Sequence, residues 1–293
     1  MSDFLNRIGL GEIFVADGAM GTMLIERGLK VGDCPEAMNL NQTDVLEEIA
    51  RLYWQAGAEI IQTNTFGGSP LKLSAYNLQD RSAEINRTAV QAVRNVVGNN
   101  AYLSGSMGPS GKLLKPYGDT DPEDISQSFK IQAEALISAG VDIVCVETMT
   151  DLNEAVLAVQ AVRSISASIP VMATMTYDPT PDGFYTIMGV TVQQAVEGLG
   201  GAGADIIGSN CGNGIKNMIE IAAQYKQLTD LPIIIQSNAG LPEMKGTTVV
   251  YNESPEFMAE QALKLKELGV SIIGGCCGTT PDHIRAIRKA VKP

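Results

Sequence analysis

The chain has 293 residues, 45% of them hydrophobic and 18% charged, a composition that supports a packed core and excludes a disordered protein. Its 33 acidic and 21 basic residues give a net charge of −12, which argues against a nucleic-acid or anionic-membrane partner, since no basic cluster offsets the acids. The opening "MSDFLNRIGLGEIF" carries no basic-then-apolar leader, and no apolar run nears the roughly 20 residues that span a bilayer. The expected location is the cytoplasm, where five unevenly spaced cysteines are thiols rather than a disulfide framework.

The first apolar run, "EIFVADG" from Glu12, predicts a short strand that ends at Asp17. A helical pattern from Val45 to Ala56 stops at Gly57, and "EIIQTN" follows at once as a second strand. A helix from Ser82 to Val97 leads to "AYLSGSMG", and one from Glu123 to Ser138 leads to "AGVDIVCVE". The runs "PVMATMT", "AGADIIGSN" and "PIIIQSN" come next. A helix from Pro255 to Leu268 then precedes "LGVSIIGGC". Pro170 and Pro232 stand at the first residue of their runs, where a parallel strand tolerates proline.

Four of these segments repeat one design: a helix stopped by glycine (Gly57, Gly140, Gly203, Gly269), then a short Val/Ile-rich run. Eight strands alternating with eight helices imply right-handed crossovers and a parallel sheet. The expected fold is α/β, a single (β/α)8 TIM barrel formed by one domain over residues 1–293. An open, doubly wound sheet is the alternative; related units at every second strand favour closure.

Barrels of this kind build their sites at the C-terminal strand ends. Those ends carry Asp17, Asn64, Ser106, Glu147, Thr176, Cys211, Asn238 and the pair Cys276-Cys277. Three of the five cysteines thus fall at the sixth and eighth ends. Converging thiolates suit zinc, and three protein ligands with one open position is the catalytic pattern. A zinc site of three thiolates carries a formal charge of −1, which weakens carbonyl activation but leaves a bound thiolate nucleophilic. Activation of a thiol substrate is therefore the expected chemistry. Asp17 and Glu147 offer places for an ammonium, and the backbone of "DGAMGT" offers one for a carboxylate. Taken singly, each acid is equally well read as a helix cap or loop ion pair. Cys145 reads as a core thiol, Cys34 stays open, and His283, in "TTPDHI", reads as a surface or first-turn residue. The loop "GSMGPSGKLLKPYGD" offers Lys112, Lys115 and Tyr117 over the barrel mouth.

"DGAMGT", "QTNTFGG", "GSMGPSGKLLKPYGD", "VETMTD", "GSNCG", "QSNAGLP" and "GGCCGTTPDHI" together resemble the zinc-dependent homocysteine S-methyltransferase family, from about Glu12 to Ile287. The likeness is nearest to the homocysteine-binding module of cobalamin-dependent methionine synthases. It implies Zn2+ held by Cys211, Cys276 and Cys277, with Asn238 as a candidate fourth ligand when substrate is absent. It implies that Asp17 and Glu147 bind the homocysteine ammonium and that the backbone of Gly18, Ala19 and Met20 takes the carboxylate; Asn210 is placed in the same substrate site. The implied reaction is methionine formation, with the zinc-bound thiolate attacking a methyl donor. The donor expected first is methylcobalamin on a separate corrinoid protein, since the chain carries no folate or cobalamin module. S-methylmethionine, betaine or a different thiol substrate are the enzymatic alternatives, and zinc storage, redox sensing or a non-catalytic subunit the others. Trp54 lies within a helix and reads as packing rather than as part of a betaine site.

Overall fold

The computed structural model describes residues 3–30, 32–246 and 248–293. Strands β1 (Phe14–Val15), β2 (Ile60–Gln62), β3 (Tyr102–Met107), β4 (Ile143–Met149), β5 (Val171–Met175), β6 (Ile206–Gly214), β7 (Ile233–Asn238) and β8 (Ile272–Gly275) form one parallel sheet. Each is followed by its helix: α1 (Thr43–Gln55), α2 (Ser82–Val97), α3 (Pro122–Ala139), α4 (Leu152–Ile165), α5 (Val192–Ala202), α6 (Ile215–Leu228), α7 (Pro255–Glu267) and α8 (Pro281–Val291). The ladder runs β1-β8-β7-β6-β5-β4-β3-β2. It closes where Ala16 pairs with Ile60, through Asp17 N–H to Ile60 O (3.0 Å) and Glu59 N–H to Val15 O (2.7 Å). Closure rules out the open sheet. The expected (β/α)8 barrel is the observed fold.

The repeat seen in the sequence has a physical basis. Gly57, Gly140, Gly203 and Gly269 all have positive φ (98°, 95°, 99° and 75°), the left-handed turn that ends a helix and that glycine adopts without strain. In the first three units an acid two residues on, just before the next strand, accepts a backbone N–H of the preceding strand, whereas Ser271 stands there in the fourth. Glu59 accepts from Val15 (3.2 Å), Asp142 from Leu103 (2.8 Å) and Asp205 from Val171 (2.8 Å). Each acid also holds a cation, Lys292 (2.6 Å), Arg94 (2.9 Å) and Arg163 (2.6 Å) respectively. The motif is a staple between neighbouring strands at the end of the barrel away from the candidate site.

Inside the barrel, Phe14, Ile60, Ile143, Met172, Ile206, Ile234 and Ile272 form an apolar cluster. Phe4 and Ile8 of an amino-terminal helix, Asp3–Gly9, plug it from below; the Phe4 ring lies 5.0 Å from Phe14 and 4.8 Å from Tyr102. Above this plug the interior is polar. That plugging helix, the helix Met20–Glu26, the 3-10 turn Pro35–Leu40 and two hairpins (Asp178–Thr180 with Gly183–Tyr185, Glu243–Lys245 with Thr248–Val250) are not among the elements expected from the sequence. They are too short for apolar periodicity to mark them. No helix among the described residues is long and apolar enough to cross a membrane.

Replacing Asp205 by alanine should remove both its ion pair and the acceptor for Val171 N–H. The expected loss is about 2 kcal/mol in urea unfolding, and the same staple predicts a similar loss for Asp142→Ala.

Candidate metal and thiol-binding site

Alternation along the strands decides which side chains enter the barrel. From the apolar cluster upward, the inward positions read Ile60-Gln62, Ile143-Cys145-Glu147, Met172-Thr174, Ile206-Gly208-Asn210, Ile234-Gln236-Asn238 and Ile272-Gly274-Cys276. They lead into a cavity of about 320 Å³ at the C-terminal mouth. Its wall includes the stretch Gly18–Thr22, Phe66, Glu147 and all three cysteines named from the sequence.

The sulfurs of Cys211, Cys276 and Cys277 lie within 4.8 Å of one another, and Cys211 Sγ is 3.8 Å from Cys277 Sγ. Four-coordinate zinc with bonds of about 2.3 Å at tetrahedral angles separates its sulfurs by about 3.8 Å. The donor set therefore fits a thiophilic dication. Cys211 reaches the cluster because it adopts φ 60°, a left-handed conformation rare outside glycine, and Gly212 continues it at φ 73°. The β6–β7 register slips between Asn210 and Gly214, which turns the end of β6 toward the axis. Hydrogen bonds from Cys211 and Cys276 hold the Cys277 thiol well below its ordinary pKa. Cys276 stays well above its own, since it is the donor to that pair and its ionisation would add like charge. The cluster favours one thiolate by itself; a dication would stabilise all three.

Burial raises Glu147 to about 7; the Ser106 hydroxyl, which donates to its Oε1, opposes the shift, and Cys211 adds to it. Burial likewise raises Asp17 to about 8, opposed by Gln62 N–H (2.8 Å to Oδ2) and reinforced by Glu147. The other Asp17 oxygen, Oδ1, is buried and without a hydrogen-bond partner. Two such carboxyls are poised for a cation.

Asn210 is fully buried behind this wall, and both ends of its amide are engaged. Its Oδ1 accepts from Thr148 N–H (2.8 Å) and the Thr174 hydroxyl (2.7 Å). Its Nδ2 reaches Thr148 Oγ1 (2.7 Å), Glu147 Oε2 (3.2 Å) and Cys276 Sγ (3.9 Å). In the free chain Asn210 thus braces the acid against the thiols and fixes Thr148 in its own left-handed conformation, φ 59°. Asn238 is 3% exposed, and its Oδ1 has no partner. Of the three backbone amides expected to take a carboxylate, that of Ala19 already donates to Thr279 Oγ1 (3.1 Å).

The remaining sequence candidates lie elsewhere. Cys145 is in the barrel core, as expected. Cys34 is buried outside the cluster, with its thiol 3.4 Å from Glu36 Oε2. His283 occupies the first turn of α8 but is only 7% exposed. Its Nδ1 accepts from Thr280 N–H (3.1 Å), so its Nε2 carries the proton donated to Glu253 O (2.9 Å). Lys115 pairs with Asp121 (2.8 Å), and Tyr117 is exposed. Trp54 packs against the core. Cavity residues absent from the sequence reading include Glu36, Gln62, Phe66, Thr148 and Gln236. Gln62 and Gln236 were accessible in principle, being two residues before the strand ends Asn64 and Asn238 and on the same face. Glu36 sits in a loop with no periodic signal.

The family described as homocysteine S-methyltransferase matches residues 14–291. The chain belongs to the homocysteine S-methyltransferase family. It is similar to the methionine synthase of Mycobacterium leprae (strain TN), 33% identical over 297 residues that cover 96% of this chain and 24% of that protein. The methionine synthase of Mycobacterium tuberculosis (strain ATCC 25618 / H37Rv) is 34% identical over 297 residues, 96% of this chain and 25% of that protein. The chain spans about a quarter of the length of these curated relatives. Among solved structures, the metallated form of the homocysteine methyltransferase MmuM from Escherichia coli is similar with a TM-score of 0.78 at 21% identity, over 95% of this chain and 96% of that one. This match is again to the barrel fold.

The raised carboxyls set a pH dependence. Asp17 and Glu147 favour their neutral forms in the folded chain, so the stability tied to them is full below about pH 4. It is lost as pH rises through their folded values of about 8 and 7. Asp17→Asn should therefore gain stability relative to the parent chain between about pH 4 and 8. Urea midpoints that shift in parallel with pH would contradict it.

Proposed function

We propose that the chain is a homocysteine S-methyltransferase that forms methionine. The observation that carries this reading is the meeting of three sulfurs and the buried Glu147 carboxyl at one cavity of about 320 Å³ in a member of this family, with Asp17 buried next to the wall residue Gly18. Cys211, Cys276 and Cys277 would hold Zn2+, and Asn238, with its unpartnered amide oxygen, is the candidate fourth ligand before substrate arrives. Bound there, the dication would lower the pKa of a substrate thiol from about 8.5 to below neutrality, so that its sulfur is a thiolate.

The chain's own residues would orient the rest of homocysteine. Asp17 and Glu147 accept the ammonium, whose charge offsets their mutual repulsion and lets both ionise. The Gly18–Met20 stretch takes the carboxylate, mainly through the amides flanking Ala19. Asn210 acts behind them, holding Glu147 and Cys276 at a fixed distance. The S–CH3 bond forms from the sulfur lone pair while the bond from methyl to donor breaks in line; the donor leaves with the electron pair of that broken bond, and no proton moves in the step.

For the donor, likeness to methionine synthases favours a methyl-corrinoid, methylcobalamin on a partner protein. One feature favours a second reading. Among the described residues, the cavity wall holds no Lys, Arg or His, but it does hold Glu36 and the ring of Phe66, a setting suited to a small cation such as the sulfonium of S-methylmethionine. Trp54 is packed into the core, which removes the indole from any betaine site.

The test is methionine formation by zinc-loaded chain from homocysteine with methylcobalamin, S-methylmethionine, betaine or S-adenosylmethionine. Turnover with methylcobalamin, abolished in Cys276→Ala together with loss of the single bound zinc, is expected. Glu147→Gln should raise KM for homocysteine about tenfold. Zinc bound stoichiometrically with no methionine formed from any of these donors would overturn independent catalysis.

A further inference from the structure

Between the apolar plug and the strand ends, the barrel interior has a layer of mostly small side chains: Ala16, Ser104, Cys145, Thr174, Gly208 and Gly274. Gln62 on β2 and Gln236 on β7 are its two long members, and both line the cavity. Gln236 is only 2% exposed, and its amide oxygen has no hydrogen-bond partner. An unpaired buried carbonyl is costly, and an apolar side chain of equal length would avoid that cost. Its backbone is fixed between the two cysteine-bearing strands, in register with Asn210 on β6 and Gly274 on β8. The acceptor is therefore held close beneath the thiols.

A substrate ammonium brings three N–H donors into a site where the two acids, Asp17 and Glu147, account for two. Asp17 Oδ1 and Gln236 Oε1 share the same condition, buried and without a partner in the free chain. We propose that Gln236 is the third acceptor for the substrate's ammonium group, and that it makes the site select an α-amino-acid thiol over a simple thiol. The inference rests on the reading of this cavity as a homocysteine site.

Gln236→Met keeps the length of the side chain and removes its amide; Gln236→Glu restores an acceptor. Calorimetry on zinc-loaded full chain would compare homocysteine with 4-sulfanylbutanoate, which keeps the thiol and carboxylate but lacks the amino group. The expected result for Gln236→Met is a loss of homocysteine affinity of about tenfold or more, with 4-sulfanylbutanoate binding and zinc stoichiometry unchanged. Gln236→Glu should retain the preference for homocysteine. A Met variant that binds both thiols as the parent does, or weakens for both alike, would overturn the proposal, as would a Glu variant without the preference. If the parent chain itself fails to distinguish the two thiols, the homocysteine reading fails and the role of Gln236 falls with it.

Discussion

The spacing of β-strands is the constraint on which the site depends. Cys211 lies near the end of β6 and Cys276 follows β8, with β7 between them, so the two backbones start about 10 Å apart. Sulfurs at metal-bridging distance cannot arise from straight strands so placed. The slipped register of β6, the left-handed Cys211 and the glycine after it bend one side toward the axis. On the other, Cys276 N–H is tied to Ser237 O at 2.7 Å and Ala239 N–H to Cys277 O at 3.0 Å, which anchors the paired cysteines to the intervening strand. Left-handed backbone outside glycine costs on the order of 1–3 kcal/mol, and it persists here because surrounding hydrogen bonds over-determine it.

Asn210 is the residue through which this strain is shared. Its amide holds Thr148 in the second left-handed turn and simultaneously contacts Glu147 and Cys276. The acid of β4 and the thiol after β8 are thus set by one side chain on β6. Of the nine buried side-chain polar atoms left without partners among the described residues, three, Asp17 Oδ1, Gln236 Oε1 and Asn238 Oδ1, lie around the same centre. A barrel optimised only for stability would fill these positions with apolar side chains.

Much of the fold was legible because its signals are local and repeated. Glycine stops, short Val/Ile runs and amphipathic helices recur along the chain, and the helix limits from Ser82 to Val97 match the structure to the residue. The zinc-ligand candidates were legible because cysteine is rare in this chain and three of five fall at two strand ends. Less legible were residues whose partners are remote in sequence. Nothing around His283 signals that its ring reaches Glu253 O, nor around Glu36 that its carboxylate accepts Gly67 N–H at 2.6 Å. Asn210 sits beside a cysteine named as a ligand, but its bracing role appears only when β4, β5 and β6 are adjacent.

Lys292 has a consequence for the order of assembly. It pairs with Glu12 and Glu59, residues flanking β1 and at the head of β2, across the seam where the barrel closes. Strand β8, which pairs with β1 on its other side, precedes two of the three sulfurs. During synthesis on the ribosome, β1 therefore waits from Val15 until Ile272 has been made before β8 can pair with it. A three-sulfur binding centre cannot exist in any nascent chain that ends before Cys277. Any metal held by all three sulfurs would thereby be captured only after the last strand of the barrel has been made.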